Sequence, residues 1–367
     1  MSYNRDIHPM DLIMQKHSRL VITCLMLALL ASFSTLAQEK APKPVKLFND
    51  HEMIHVTLKG PWRSIERRKT NPETHAGTLE YTDSNGKLQS LDIGLTTRGL
   101  TRLERVCDFP PLKVWFDKEQ VKGTEFRGQG SLKMVTHCKS NIGYQQYFVK
   151  EYLSYRIYNL ITPYSFRVRP LMISYLDTER DSKPVERFGF LIEDVDDVAD
   201  RNGLKELEIP KVRHKKLDPV ETANYSVFQY MISNLDWSAT SGRDPVECCH
   251  NSKLMSERPE SVPVYVVPYD LDSSGLVNAP YAAPPDSLKV RSVTQRLYRG
   301  FCFHNNEIPE TLSRYRDHKA EILALFNNEE LLTGKARVNA VKYLEGFYKS
   351  IESPEKIRKN LTDKCRG

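Results

Sequence analysis

The chain has 367 residues, of which 40% are hydrophobic and 27% are charged. This balance excludes a disordered chain, a collagen-like chain and a multi-span membrane protein, and the length allows one large domain or two ordinary ones. The 53 Lys and Arg residues against 47 Asp and Glu residues give a net charge of +6. An excess this small and evenly spread does not indicate nucleic-acid binding, and we expect none.

The N-terminus has the pattern of a secretory signal peptide. Lys16 and Arg19 precede an apolar run at residues 20–30, and small residues follow it. A membrane anchor is the alternative, but the run is short for a bilayer and no stop-transfer flank follows. We therefore expect residues 1–38 to be a signal and leader, residues 39–50 to be a tether, and the mature protein to be periplasmic or secreted, without stable membrane insertion.

Removal of the signal leaves an even number of cysteines, which in an oxidising compartment predicts disulfide bonds. No CxxC pair is present, so a zinc site is not expected. We favour a bond between Cys107 and Cys138. The adjacent pair would then bond separately to the last two of the six, which are Cys107, Cys138, Cys248, Cys249, Cys302 and Cys365.

The first half of the mature chain is typical of a β-sheet with one helix. Short segments rich in β-branched and aromatic residues, bounded by Gly, Pro or Asn, predict strands at 53–58, 88–97, 112–116, 131–136, 168–174 and 187–192. Apolar residues at helical spacing predict one helix at 144–161, which ends before Pro163. Residues 51–193 are therefore expected to form a β-rich N-terminal lobe with one prominent helix.

The second half is mainly helical in pattern, with one strand at 262–267. Asp218 and Pro219 are typical of a helix start, with Asp218 as N-cap and Pro219 in the first turn. We expect residues 194–367 to form an α-rich C-terminal lobe, with a cleft where it meets the first lobe near 193–203. The fold class is α+β. Helices are predicted at 219–234, 297–303, 312–327, 329–350 and 354–364.

Two aspartates follow the strand at 262–267 directly. Asp270 and Asp272 stand at i and i+2 in a turn, where both carboxylates can face one divalent cation bound to phosphate. The alternative is a turn in which an aspartate side chain only caps the strand. Because Asp-x-Asp is common, metal binding competes with that simpler interpretation.

The helix at 219–234 brings an acidic residue to its C-terminal end. The helix dipole disfavours a negative charge there, so Asp236 requires a compensating cation or a functional reason. The alternative is that Asp236 caps a turn and Trp237 fills the core. Asn251, further along, offers a neutral oxygen ligand.

The β-rich half supplies a candidate cation. Lys133 alternates with Leu132 and Met134 along a predicted strand, so its side chain faces away from theirs, and an ammonium suits phosphate oxygens. Glu151, on the predicted helix, is a candidate to hold that ammonium in place. The alternative is that both side chains are simply solvated.

Taken together, these features resemble the spore-coat kinase (CotH kinase-like) family. An earlier segment, Thr97-Arg98-Gly99-Leu100-Thr101-Arg102, and the strand after it are also similar to that family, and the resemblance covers residues 93–276. Its most specific part is the pairing of Asn-x-Asp-Trp with Tyr-Asp-x-Asp. The residues that support it, in chain order, are Lys133, Glu151, Asn234-Leu235-Asp236-Trp237, His250-Asn251 and Pro268-Tyr269-Asp270-Leu271-Asp272.

The resemblance implies a two-lobed, atypical protein-kinase-like fold that binds ATP with Mg²⁺ or Mn²⁺ and phosphorylates a hydroxyl of a secreted or envelope protein. Asp236 would be the catalytic acid/base residue. Asn251 and Asp270 would hold the metal, with Asp272 beside it or on a second metal.

The resemblance also gives roles to residues of the first half. Lys133 would contact phosphate, Glu151 would orient Lys133, and Glu193 would lie in the segment that crosses between the lobes and contacts the nucleotide.

Two other functions remain open. The same nucleotide site could transfer AMP instead of a phosphoryl group, because the phosphate-binding residues do not fix which phosphorus is attacked. The protein could also be a catalytically inactive, pseudokinase-like module that binds an envelope partner. Joint retention of Asp236, Asp270 and Asp272 favours chemistry over that last function.

Overall fold

The structure is a computed structural model that describes residues 46–71, 73–242 and 248–367. The expected signal peptide and the tether up to residue 45 lie outside these residues. All described residues belong to one compact unit, Lys43–Gly367, which mixes helices and strands. The α+β class is therefore confirmed.

Seven strands of the first half form a closed barrel in the order β1-β2-β3-β4-β5-β7-β6. Neighbouring strands are antiparallel except β1 and β6, which are parallel and close the barrel. The bounds are β1 Ile54–Gly60, β2 Thr74–Thr82, β3 Leu88–Thr97, β4 Leu112–Phe116, β5 Ser131–Val135, β6 Val168–Asp177 and β7 Val185–Ile192.

The two faces of the barrel strands contribute to two separate cores. Side chains alternate along a strand, so Leu191 packs into the barrel interior, while Phe190 and Ile192 pack into the core shared with the helices. Helix α2, Gln145–Ile161, covers this second face, where Tyr152 and Tyr155 contact the ring of Phe190. The short helix α1, Trp62–Arg67, lies between β1 and β2.

The second half contains a three-stranded sheet and most of the helices. The sheet has the order β10-β9-β8, with β8 at Lys205–Glu206, β9 at Ser252–Ser256 and β10 at Tyr265–Pro268. The helices are α3 Val195–Arg201, α4 Pro219–Ile232, α5 Ile308–Asp317, α6 Lys319–Asn327, α7 Gly334–Ser350 and α8 Pro354–Asn360. None of the helices in the described part of the chain is long and apolar enough to cross a bilayer.

Most predicted segments occur in the structure, with several differences. The prediction omitted α1, α3, β2, β8 and β9, and the predicted helix at 312–327 is two helices that meet at His318. No helix spans 297–303; instead Phe301 pairs with Arg366, and the backbone of Cys302 donates a hydrogen bond to Arg366 O at 2.8 Å. A short 3-10 helix, Cys302–Glu307, begins only after the pairing of Phe301.

One of the three expected disulfide bonds occurs in the structure. Cys107 and Cys138 are bonded, with their Cα atoms 4.4 Å apart. The other expected pairs are wrong, because Cys248 is bonded to Cys249 and Cys302 to Cys365. The backbone pairing beside Cys302 brings the C-terminus to it and leaves the adjacent cysteines to each other.

The N-cap of α4 gives a stability prediction. Asp218 Oδ1 accepts a hydrogen bond from Glu221 N at 2.8 Å, as the sequence predicts for this helix start. We expect Asp218→Ala to lower the free energy of unfolding by about 1 kcal/mol, because the first turn loses its acceptor. Asp218→Asn keeps the acceptor and should lose less. Urea denaturation measures both, and equal destabilisation by Asn and Ala would contradict this role.

Candidate functional site

Residues from separate parts of the chain meet around one cleft of about 440 Å³. Three of the acidic residues that the sequence selected, together with Asn251, line it. They arrive from different elements: Asp236 follows α4, Asn251 precedes β9, and Asp270 and Asp272 follow β10. The convergence of these side chains is the central geometric feature of the site.

Left-handed backbone turns direct these side chains. Helix α4 ends at Ser233, whose φ is 51°, so the chain turns away before Asp236. Asn251 and Asp270 also have positive φ, 49° and 56°, a conformation that Asn and Asp tolerate better than most residues. The sequence places tolerant residues where the sharp turns occur.

Asp236 is held by two neighbours on the segment before β9. His250 Nε2 lies 2.6 Å from Asp236 Oδ1, and Asn251 Nδ2 donates to Asp236 Oδ2 at 3.1 Å. The carboxylate is 30% exposed, so it is oriented but remains open to the cleft. Trp237, in contrast, is buried, and its Nε1 donates to Asn234 O at 2.9 Å. The core role considered for Trp237 is therefore confirmed.

Asp270 is the acidic residue with the fewest local contacts. Its backbone N–H donates to the Tyr155 hydroxyl at 3.0 Å, but its carboxylate makes no hydrogen bond or ion pair within the described residues. Burial and, to a smaller extent, the nearby carboxylate of Asp272 raise the pKa of Asp270 to about 6, against the opposing effect of Arg102. A nearby cation would stabilise the charged form of such a buried carboxylate, so this position is suited to binding one.

Arg102, which the sequence analysis gave no role, connects two of the selected acids. Arg102 Nη1 lies 3.1 Å from Glu151 Oε2, and Arg102 Nε lies 3.2 Å from Asp272 Oδ2. Burial opposes this charge, yet Glu151 and Asp272 raise the pKa of Arg102 well above its usual value. The expected pair between Lys133 and Glu151 is wrong, because the carboxylate of Glu151 instead pairs with the guanidinium of Arg102.

Glu151 is 1% exposed and has one oxygen without a partner. Its Oε1 is buried and accepts no hydrogen bond from a described residue. Burial raises the pKa of Glu151, and the guanidinium of Arg102 opposes that rise by favouring the charged carboxylate. The solvated alternative considered for Glu151 is therefore wrong.

Lys133 lies beside the cleft. Its neighbours Leu132 and Met134 are buried in the barrel, so its side chain faces the other way, as the alternation predicts. Lys133 Nζ lies 4.3 Å from the ring centroid of Tyr269 and makes no ion pair with a described residue. Arg98 Nη1 contacts the Tyr269 hydroxyl at 3.5 Å. Two cations therefore flank the residue that precedes Asp270.

Glu193 lies apart from these groups. It follows β7, is 3% exposed, and its Oε1 lies 3.1 Å from Arg201 Nε, while its Oε2 accepts from Arg167 N at 2.9 Å. These contacts fix the connection between the barrel and α3. The Glu193 side chain does not line the cleft of about 440 Å³.

Sequence reasoning also missed the roles of Arg98 and Tyr281. Arg98 lines the cleft, and the Tyr281 hydroxyl donates to Asp272 Oδ2 at 2.8 Å. One signal in the sequence was the segment 97–102, where two arginines lie on either side of a glycine. In the structure this glycine, Gly99, has a φ of +90° and forms a turn. The sequence marks residues 281–285 only as a loop beside the turn of Asp270 and Asp272, with an effect on access of the acceptor, and does not indicate the contact of Tyr281 with Asp272.

The donor set fits a divalent cation in part. Asp270 has a carboxylate without a partner, and Asn251 Oδ1 accepts no hydrogen bond from a described residue, so both oxygens suit Mg²⁺ or Mn²⁺. Asp272 fits less well, because Arg102, Ser273 and Tyr281 already contact it. Across the described residues, no group of three His, Cys, Asp or Glu side chains is arranged to hold a metal ion.

Comparison with models of known protein families and with curated proteins finds no match to this chain.

The buried cation gives a second prediction. We expect Arg102→Met to lower the free energy of unfolding by about 3–5 kcal/mol, because two buried carboxylates lose their counter-charge. The double variant Arg102→Met with Glu151→Gln lacks one of the two carboxylates, so it should recover part of the lost free energy of unfolding. Denaturant unfolding of the two single variants and the double variant measures this. A double variant no more stable than Arg102→Met would contradict the pairing.

Proposed function

We propose that the cleft is the active site of an exported, metal-dependent, kinase-like phosphotransferase with an atypical two-lobed fold. The enzyme would move the terminal phosphoryl group of ATP to a hydroxyl of a secreted or envelope protein. One observation supports this most: Asp236, Asn251 and Asp270 come from separate elements and line one cavity. The three disulfides are compatible with export to an oxidising compartment.

The mixed charge of the cleft suits phosphoryl transfer. Such a reaction depends on positioning and charge neutralisation more than on covalent chemistry from the protein. Arg98 lines the cleft, and Lys133 lies beside it next to Tyr269, so cations are available for phosphate oxygens. The cavity volume of about 440 Å³ lies within the usual range for small-molecule sites.

Asp236 is the proposed base for the acceptor hydroxyl. His250 and Asn251 orient its carboxylate, while its exposed fraction leaves room for an incoming hydroxyl. In this step Asp236 takes the hydroxyl proton as the acceptor oxygen forms its bond to phosphorus. The bond between that phosphorus and the leaving ADP breaks.

Asp270 and Asn251 would hold the divalent cation through their unoccupied oxygens. When bound, the cation supplies positive charge to phosphate oxygens. Asp272 is better suited to positioning this turn, because Arg102 holds it against Glu151. Lys133 would contact phosphate, and Glu193 would fix the connection between the lobes rather than touch the nucleotide.

Metal and nucleotide binding should follow the ionisation of Asp270. Because its pKa is raised to about 6, the carboxylate is protonated below that pH and free for a cation above it. Protons and metal compete for the same oxygens, so affinity for Mn²⁺ with ATP should rise about tenfold per pH unit up to pH 6 and then level off. Calorimetric titration measures this profile.

A matched pair of variants tests the role of Asp270. Asp270→Asn should bind Mn²⁺ with ATP weakly at every pH, whereas Asp92→Asn, the same change at an exposed position of β3, should keep the wild-type profile. If wild-type protein binds no nucleotide under oxidising conditions at neutral pH, the proposed function is wrong. Equal loss in both variants would also contradict it.

Asp236 should affect transfer but not binding. We expect Asp236→Asn to lower the transfer rate by about 10²–10⁴-fold, because the acceptor hydroxyl loses its base. Nucleotide affinity should change little. Phosphate incorporation into an exported acceptor protein, followed by intact mass, measures this and distinguishes a phosphoryl from an adenylyl product. Undiminished transfer by Asp236→Asn would exclude this residue as the base.

A further inference from the structure

A second and larger cavity, of about 690 Å³, lies away from the acids of the cleft. Helices α2 and α7 form two of its sides, and the segments around Gly275 and Thr294 complete it. It shares no lining residue with the cleft that contains Asp236 and Asp270.

All charged side chains that line this cavity are positive. Its lining includes Lys150, Arg296, Lys335 and Lys342, and none of the described residues that line it is Asp or Glu. The remaining polar groups are amides and hydroxyls. Four cations without a local acid create a positive potential that favours an anionic ligand.

Two of the cations are constrained by burial. Lys150 Nζ donates to Val277 O, and burial lowers the pKa of Lys150 to about 8. Arg296 donates through Nε to Met231 O at 3.1 Å and through Nη2 to Tyr343 O at 2.6 Å. Arg296 Nη1 makes no hydrogen bond with a described residue. Each cation is therefore fixed by the protein and keeps donors for a ligand.

The face of α7 adds two exposed charges, and a glycine nearby leaves open space. Lys335 and Lys342 are exposed and seven residues apart, so they lie on one side of the helix with Asn339 between them. A side chain at Gly346 would meet Arg296 Nη1 at 3.4 Å, so glycine leaves that guanidinium open.

We propose that this cavity binds a small polyanion that carries two or more phosphate groups. Cationic side chains from three segments of the chain converge on a concave space, which suits a compact ligand better than an extended acidic peptide. Charge-assisted hydrogen bonds from Lys and Arg are the strongest contacts proteins make with phosphate. This site does not depend on the proposed function of the cleft.

Inorganic pyrophosphate in EDTA, without nucleotide, is the direct probe, because the absence of metal disfavours binding in the acidic cleft. Calorimetry should detect binding to the wild-type protein. Lys335→Glu with Lys342→Glu should weaken it by about tenfold or more, since two charge-assisted contacts are lost. The matched control, Lys349→Glu with Lys359→Glu, makes the same charge change at exposed positions outside the cavity and should alter affinity by less than about twofold.

Other outcomes would overturn the proposal. Equal weakening by both double variants would show a general effect of net charge, and no binding to wild type would exclude the site. Loss of pyrophosphate binding in Asp270→Asn would place the ligand in the cleft instead. Binding of a glutamate-rich peptide but not of pyrophosphate would indicate a protein partner. Circular dichroism checks that each variant is folded.

Discussion

The guanidinium of Arg102 holds together the parts of the chain that form the cleft. It follows β3 and lies buried between Glu151 of α2 and Asp272 of the turn after β10. Two buried carboxylates are unfavourable without a counter-charge, and one delocalised cation with several donors can serve both. The position of the Asp270 turn relative to the barrel therefore depends on this network. Ser273 and Tyr281 complete the hydrogen bonds of Asp272.

The local sequence pattern predicted most helices and strands, but not the strand pairing that closes the barrel. The strands β3 and β4 occur at the predicted bounds, because each alternates buried and exposed residues between clear turns. In β2, only two of nine residues are buried, so the alternation of apolar and polar residues along the strand is weak. The sequence analysis therefore did not predict β2. The parallel pairing of β1 with β6 joins residues more than a hundred positions apart, which no local period encodes.

The acids of the site were predictable from position, but their partners were not. Asp270 follows a buried strand and Asp236 follows a helix, and both features are visible in the sequence. Lys133 and Arg102 are equally good partners for Glu151 by residue type. Long-range packing decides which of them lies beside it, and the sequence does not show that packing. The structure selects Arg102, which is buried beside Glu151, while Lys133 lies over Tyr269.

The linings of the two cavities differ in charge, although the cavities share supporting elements. In α2, Glu151 contacts the network of the cleft, while the preceding residue, Lys150, lines the basic cavity. The segment after β10 likewise supplies Asp270 to one and Gly275 to the other. Under the two proposals, the acids of the cleft would repel a bare polyanion and would accept one that a divalent cation neutralises, whereas the basic cavity would favour the bare form. Whether a phosphate ligand carries a divalent cation would therefore decide which of the two sites it binds.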